Sequence, residues 1–180
     1  MEVGPDDLVL VSVGARLDAE IGGEWAARMV ALMESRPDIV WVLVGGGGAL
    51  PKALSVLPEH RIRRVPHQDD IRAVLACCDV FVNPARLGGG FSVAEAMAEG
   101  VAVCALADSD GGDKLGGYAA RDLTAYFEQL SALLDDPARR RGLGVSLRAR
   151  FFASLDLDRS GPSLVAACQT TLDRFRQRVG

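Results

Sequence analysis

Asp79-Val-Phe-Val-Asn-Pro-Ala-Arg-Leu-Gly-Gly-Gly-Phe-Ser-Val-Ala-Glu-Ala-Met-Ala-Glu-Gly-Val-Ala-Val-Cys104 is the stretch on which the fold turns. Val80, Phe81 and Val82 make a short apolar run closed by Asn83-Pro84, which has the length and residue types of a buried strand. Gly88, Gly89 and Gly90 then open a segment in which Phe91, Val93, Ala94 and Met97 follow helical spacing, and Gly100 ends it. A second apolar run, Val101 to Leu106, reads as the next strand. Strands that are apolar on both faces, joined through a helix, belong to a parallel sheet covered on each side.

The same alternation extends in both directions. Leu8-Val9-Leu10-Val11-Ser12-Val13 is a strand that ends at Gly14, and Trp25, Met29, Leu32 and Met33 then mark one face of a helix stopped by Pro37. Ile39 to Val44 is a second strand, running into Gly45 to Gly48. A short helix over 51–57, a third strand around 61–65 and a helix from Asp69 complete the first half. Beyond the loop at 107–117 the pattern is helical only, over about 122–134, 137–153 and 160–178. The prediction is α/β: a doubly wound, Rossmann-like parallel sheet with C-terminal helices, in a single domain.

Composition narrows the function classes. A chain of 180 residues, 49% hydrophobic and 24% charged, can bury a core without metal or disulfide staples. A net charge of −4 excludes a general electrostatic grip on nucleic acid. No apolar run reaches the roughly 18 residues needed to cross a bilayer, and the first residues are acidic where a secretory leader is basic. Cys77, Cys78, Cys104 and Cys168 have no C-x-x-C spacing, which fits a reducing compartment, and Cys78 and Cys104 lie in apolar runs. These features predict a soluble, cytoplasmic domain. Abundant Ala and Gly, with eighteen arginines against only Lys52 and Lys114, suggest a GC-rich bacterial genome.

In a doubly wound sheet, ligands bind where the strands end at their carboxyl edge. Three glycine-bearing loops fall there: Gly14, Gly45 to Gly48, and Gly88 to Gly90. The third also opens a helix, whose free N–H groups and positive dipole end suit a phosphate or diphosphate. Ser92, in the first turn, can cap that helix or donate to a phosphate oxygen, and Glu95 lies one turn later on the same face, within reach of a ribose. A dinucleotide fingerprint fails, because after Gly45-Gly46-Gly47 the third glycine position falls on Leu50 or Pro51. No P-loop or G-x-S-x-G elbow occurs, and His60 and His67 have no metal-ligand spacing.

The stretch from Asp79 to Cys104 closely resembles the signature of GT-B glycosyltransferases, above all family four, in which "DvfvxPS" leads to "EGFGxxxxEAMAxGxPVV". Val13-Gly14-Ala15-Arg16-Leu17 looks like that family's "vGRL", and Val42 to Gly47 looks like its "ivGxG". The anchors keep the family's order and intervals over about residues 8 to 153. The resemblance is to the C-terminal, donor-binding half of a two-domain enzyme. It implies that the acceptor-binding N-terminal half is supplied in cis or in trans, and that this chain alone binds without turning over. It also implies a nucleoside-diphosphate-sugar donor, UDP-linked rather than GDP-linked, and no metal or other cofactor.

Position by position, the resemblance makes Glu95 the second glutamate of the E-x7-E motif and the ligand of the ribose hydroxyls. It places the diphosphate against Gly88, Gly89, Gly90, Phe91 and Ser92, with Arg16 on a phosphate, Gly14 and Gly45 lining the donor site, and His67 beside the base. Two positions depart from the pattern: Leu87 stands where the first glutamate is expected, and Ile21 where the family has a lysine. The Gly-Gly-Gly-Phe-Ser form is reminiscent of the protein O-linked N-acetylglucosamine transferases. Lys114, in the loop after the fifth strand, or Arg86 is expected to return the lost cation to the diphosphate. Two alternatives share the fold: a degenerate GT-B domain serving as a binding or scaffold module, supported by Leu87 and Ile21, and a nucleotide-sugar epimerase.

Overall fold

The computed structural model of the chain describes residues 3–46, 50–86 and 90–179. Five parallel strands, β1 (Leu8–Val13), β2 (Ile39–Val44), β3 (Ile62–Val65), β4 (Val80–Val82) and β5 (Ala102–Cys104), form one sheet in the order β3-β2-β1-β4-β5. β1 pairs in register with β2 from Leu8↔Ile39 to Val13↔Val44, and on its other side with β4 at Leu10↔Val80 and Val11↔Phe81. The doubly wound sheet expected from the apolar runs is the one observed.

Period-two alternation divides the core between two faces. Leu10, Trp41, Leu43 and Val82 point to one side, where α2 (Gly23–Ser35) and α6 (Leu123–Asp135) cover them with Trp25, Met29, Met33, Tyr126 and Leu130. Trp25 stands edge-on to Trp41 and to Tyr126, with ring centroids 5.7 and 6.0 Å apart. Val9, Val11, Val42 and Phe81 point to the other side, against α4 (Phe91–Ala98) and α7 (Pro137–Ser154) through Val93, Met97 and Leu147. Every residue of β2 is buried, as its unbroken apolar run requires.

Several boundaries differ from the sequence expectation, each for a local reason. The helix expected over 51–57 is a 3₁₀ turn at Lys52–Leu54, and the helix after Asp69 is the single turn α3 (Arg72–Leu75). The fifth strand shortens to three residues because β4 offers only three partners, and Leu106 bridges to Ala120 instead. Two further single turns are α1 (Leu17–Glu20), for which the sequence pattern gives no assignment, and α5 (Gly112–Leu115), in the segment expected to be loop. The terminal helix α8 starts at Leu157, not 160, because Asp156 caps it by accepting from Asp158 N at 3.0 Å; it runs to Val179 with Pro162 inside.

All four cysteines are free. Cys104 is buried in β5, and Cys78 is partly buried, with its thiol pushed up to about 12 by desolvation. Among the described residues no helix is long and apolar enough to cross a membrane, and no cluster of side chains could hold a metal ion.

Candidate functional site

The strand order places a reversal between β1 and β4: the chain winds from β1 outward through β2 to β3, then returns to β1's other edge. Loops leaving adjacent strands in opposite directions cannot close over each other, so a crevice opens at the carboxyl edge. A cleft of about 500 Å³ occupies that crevice. Gly14 and Arg16 enter it from the loop after β1, Gly45 from the loop after β2, and His67 from the loop after β3. Arg86, after β4, reaches across to the β1 side, and the start of α4, from Gly90 through Phe91 and Ser92 to Glu95, forms the opposite wall. A larger groove of about 1070 Å³ runs along α6 and α7, but it opens broadly to solvent away from the strand ends.

Arg86 is the most constrained group in the cleft. Its side chain is 9% exposed and its Nη1 donates to Glu20 Oε2 at 2.7 Å. Nη2 donates to Val13 O at 2.8 Å and more weakly to Ser92 Oγ at 3.4 Å, while Nε donates to Asn83 Oδ1 at 3.2 Å. The guanidinium lies so close over Gly14 that a Cβ there would be 2.3 Å from Nη1, so a side chain at this position would displace Arg86 from its bonds. Glu20 also meets Arg16, whose Nη2 is 3.4 Å from Oε1 and whose side chain is 72% exposed. Two arginines therefore share one carboxylate, leaving one positive charge on this wall.

The turn into α4 is fixed from behind. Asp110, in the loop after β5, accepts from Gly90 N at 2.9 Å through Oδ2 and from Asn83 Nδ2 at 3.2 Å through Oδ1. Gly90 adopts φ +53, a left-handed conformation natural to glycine, and starts the helix without a side-chain cap. Among the described residues the N–H groups of Phe91, Ser92 and Val93 have no acceptor, and the first internal bond of the helix is Ala94 N to Gly90 O. Ser92 does not cap. Its hydroxyl points to Val13 O at 3.4 Å and ties α4 to the end of β1.

Glu95 and Phe91 contrast with this wiring. Among the described residues the Glu95 carboxylate has no hydrogen-bond or ion-pair partner, and partial burial pushes its pKa above the usual carboxylate range. Phe91 is 79% exposed at the cleft's edge. His67 is exposed, with Nε2 3.6 Å from Asp69 Oδ1.

Residues 7–136 match the model of the family described as glycosyl transferases group 1. The chain belongs to that family. Comparison with curated protein sequences gives no match. Among solved structures, this group 1 chain is similar to HepE of Anabaena in complex with UDP and glucose, at a TM-score of 0.73 and 17% identity over 91% of this chain and 48% of HepE. A variant of the Thermobaculum terrenum O-GlcNAc transferase superposes with a TM-score of 0.64 at 20% identity, covering 84% of this chain and 34% of that one. The C-terminal domain of LpcC, a group 1 family protein from Francisella tularensis, gives 0.61 at 18% identity, covering 84% and 87%. The group 1 chain thus spans about half the length of HepE and about a third of the O-GlcNAc transferase.

Nine of the residues singled out from the sequence line one cleft: Gly14, Arg16, Gly45, His67, Arg86, Gly90, Phe91, Ser92 and Glu95. Gly88 and Gly89 lie outside the described residues, as do Leu87, Gly47 and Gly48. Lys114 is not among the lining residues; its ammonium rests against Gly90, 3.1 Å from where a Cβ would stand. Ile21 is a core residue, 3% exposed, which explains why the position holds no lysine here. Sequence pattern does not single out Glu20, Asn83 or Asp110, which wire the cleft. Only Glu20 leaves a trace, as the acidic partner four residues after Arg16.

Proposed function

We propose that this chain is the nucleotide-sugar-binding domain of a glycosyltransferase, and that the cleft between β1 and β4 holds the donor. Glu95 carries the reading: a carboxylate on the cleft wall with no partner among the described residues, one helical turn beyond N–H donors that have no acceptor among them either. That arrangement suits a ligand with vicinal hydroxyls on one side and phosphate on the other. The ribose hydroxyls donate to Glu95, the diphosphate meets the first N–H groups of α4, and Arg16 is free enough to swing onto a phosphate oxygen. Gly14 and Gly45 let Arg86 and the loops after β1 and β2 pack closely at the floor of the donor site, and His67 flanks the base. A UDP-sugar is the donor we favour.

Transfer breaks the bond between the sugar's anomeric carbon and the diphosphate oxygen, while an acceptor oxygen bonds to that carbon. The departing nucleoside diphosphate keeps the electron pair, so the role of this domain is electrostatic: positive groups and aligned N–H donors stabilise the charge as it develops. Lys114 and Arg86 contribute from beside and beneath the α4 turn, and no metal is required of this site. The similarity in extent to the LpcC C-terminal domain supports placing the chain as the C-terminal half, with the acceptor-binding half supplied in cis or in trans. Four free cysteines support a reducing, cytoplasmic setting.

Isothermal titration of the chain with UDP, GDP, ADP and NAD tests the reading. One nucleoside diphosphate should bind, UDP first, and Glu95→Ala should weaken it at least about tenfold, the loss of a charge-assisted pair of hydrogen bonds. Binding of UDP that ignores Glu95→Ala overturns the assignment of the ribose site. Silence from all four ligands favours the degenerate binding module.

A further inference from the structure

We propose that Glu20 is a charge-selecting residue of the cleft, one that makes the site discriminate against free nucleoside diphosphate in favour of the nucleotide-sugar. The inference rests on the donor reading above for its ligands, but on the Arg16–Glu20–Arg86 geometry for its logic. A site built only to hold phosphate would leave its arginines unopposed. Here the more buried arginine is neutralised at 2.7 Å by a carboxylate that is itself only 16% exposed, and the exposed arginine is drawn to the same carboxylate at 3.4 Å. Glu20 also lines the cleft, so its charge is presented to any ligand that enters.

Repulsion from a fixed carboxylate scales with the charge of what it faces. A nucleotide-sugar carries about two negative charges at neutral pH, because both phosphates are esterified. A free nucleoside diphosphate approaches about three, because its terminal phosphate loses a second proton near pH 6. Glu20 therefore opposes the product more than the substrate. The consequence is weaker retention of the leaving group once the sugar has gone.

The test compares wild type, Glu20→Gln and Glu20→Ala by titration with UDP, UDP-glucose and inorganic pyrophosphate at low and moderate salt. Glutamine keeps an acceptor for Arg86 Nη1 while removing the charge, and thermal melts report that each variant is folded. Both variants should bind UDP about tenfold more tightly and UDP-glucose about threefold more tightly, with pyrophosphate tightened at least as much as UDP. The gap between the two nucleotides should shrink as salt rises. A residue that merely props up Arg86 predicts the reverse sign: no change for glutamine and weaker binding of every ligand for alanine, and that result overturns the proposal. Tighter pyrophosphate with no nucleotide binding to any variant keeps the charge role of Glu20 and removes the donor reading. UDP and UDP-glucose shifting equally in Glu20→Gln removes the selectivity and leaves the donor reading standing.

Discussion

The two walls of the cleft are built on different principles. On the β1 side, Arg86 is joined to Glu20, Asn83, Val13 and Ser92, and Asp110 extends the same network through Asn83 to Gly90. On the α4 side, Glu95 has no partner among the described residues and Phe91 stands in solvent. The first wall satisfies its own polar groups, so it contributes to folding with or without a ligand. The second leaves polar capacity unused, so its residues contribute through whatever binds. Removing Arg86, the hub of the first wall, should therefore fall mainly on stability, and removing Glu95 from the second mainly on affinity.

The largest stability effect belongs to Arg86. Replacing it by methionine preserves the aliphatic stem but strands Glu20 and Asn83, and removes the link from β1 to α4. Arg86→Met should cost about 2–3 kcal/mol in urea denaturation, the scale for breaking a largely buried charged pair. Arg86→Lys should recover little, because a single ammonium cannot reach carboxylate, amide and carbonyl oxygens at once. If Arg86→Met unfolds like the wild type, the wall is not wired as its geometry indicates.

A smaller loss is expected at the turn. Gly90→Ala forces a side chain into φ +53 and sets its Cβ 2.7 Å from Asp110 O. The backbone strain alone is worth about 1–2 kcal/mol, and the turn must shift to relieve the contact. Chemical denaturation measures the cost. Nucleotide titration should show a parallel drop in affinity, because the N–H groups of Phe91 and Ser92 move with the turn. A destabilised variant with unchanged affinity would separate the turn from the binding site.

How much of this was readable beforehand follows from what leaves a mark in one dimension. Leu8 to Val13 and Ile39 to Val44 are apolar without interruption, and only a doubly covered parallel sheet buries such runs, so the architecture was legible. That Gly14, Gly45, Gly90 and Glu95 share one cleft was legible because glycines at strand ends, and a helix opened by them, fall at the carboxyl edge of such a sheet. The wiring was not. Asn83 and Asp110 are 27 residues apart, and Arg86 and Glu20 are 66 apart; each looks like ordinary loop or surface polarity until the sheet folds them together. Arg61 makes the same point in the core: its guanidinium is buried against carbonyls of Met33, Arg36 and Ile39 at the end of α2, and no local pattern marks it.

The smallest effect is the most diagnostic of the bare wall. Partial burial without a partner raises the folded-state pKa of Glu95 above its unfolded value, near 4.3, so the native state holds that proton more firmly. The sign follows from linkage. The stabilising contribution is fully present below the unfolded pKa and is lost as pH rises through the folded one. Wild type should thus lose a little stability relative to Glu95→Gln as pH rises from about 4 into the neutral range. The difference should stay below about 0.5 kcal/mol, because the group is largely exposed and solvent screens it. Bound UDP should reverse the order, since hydroxyl donors stabilise the ionised carboxylate and glutamine cannot match that. Parallel melts of the two proteins at pH 4.5 and pH 7.5, with and without UDP, measure both signs. A wild type that is already the more stable of the two at pH 7.5 without ligand would mean that Glu95 has an internal partner, and that the cleft has two wired walls.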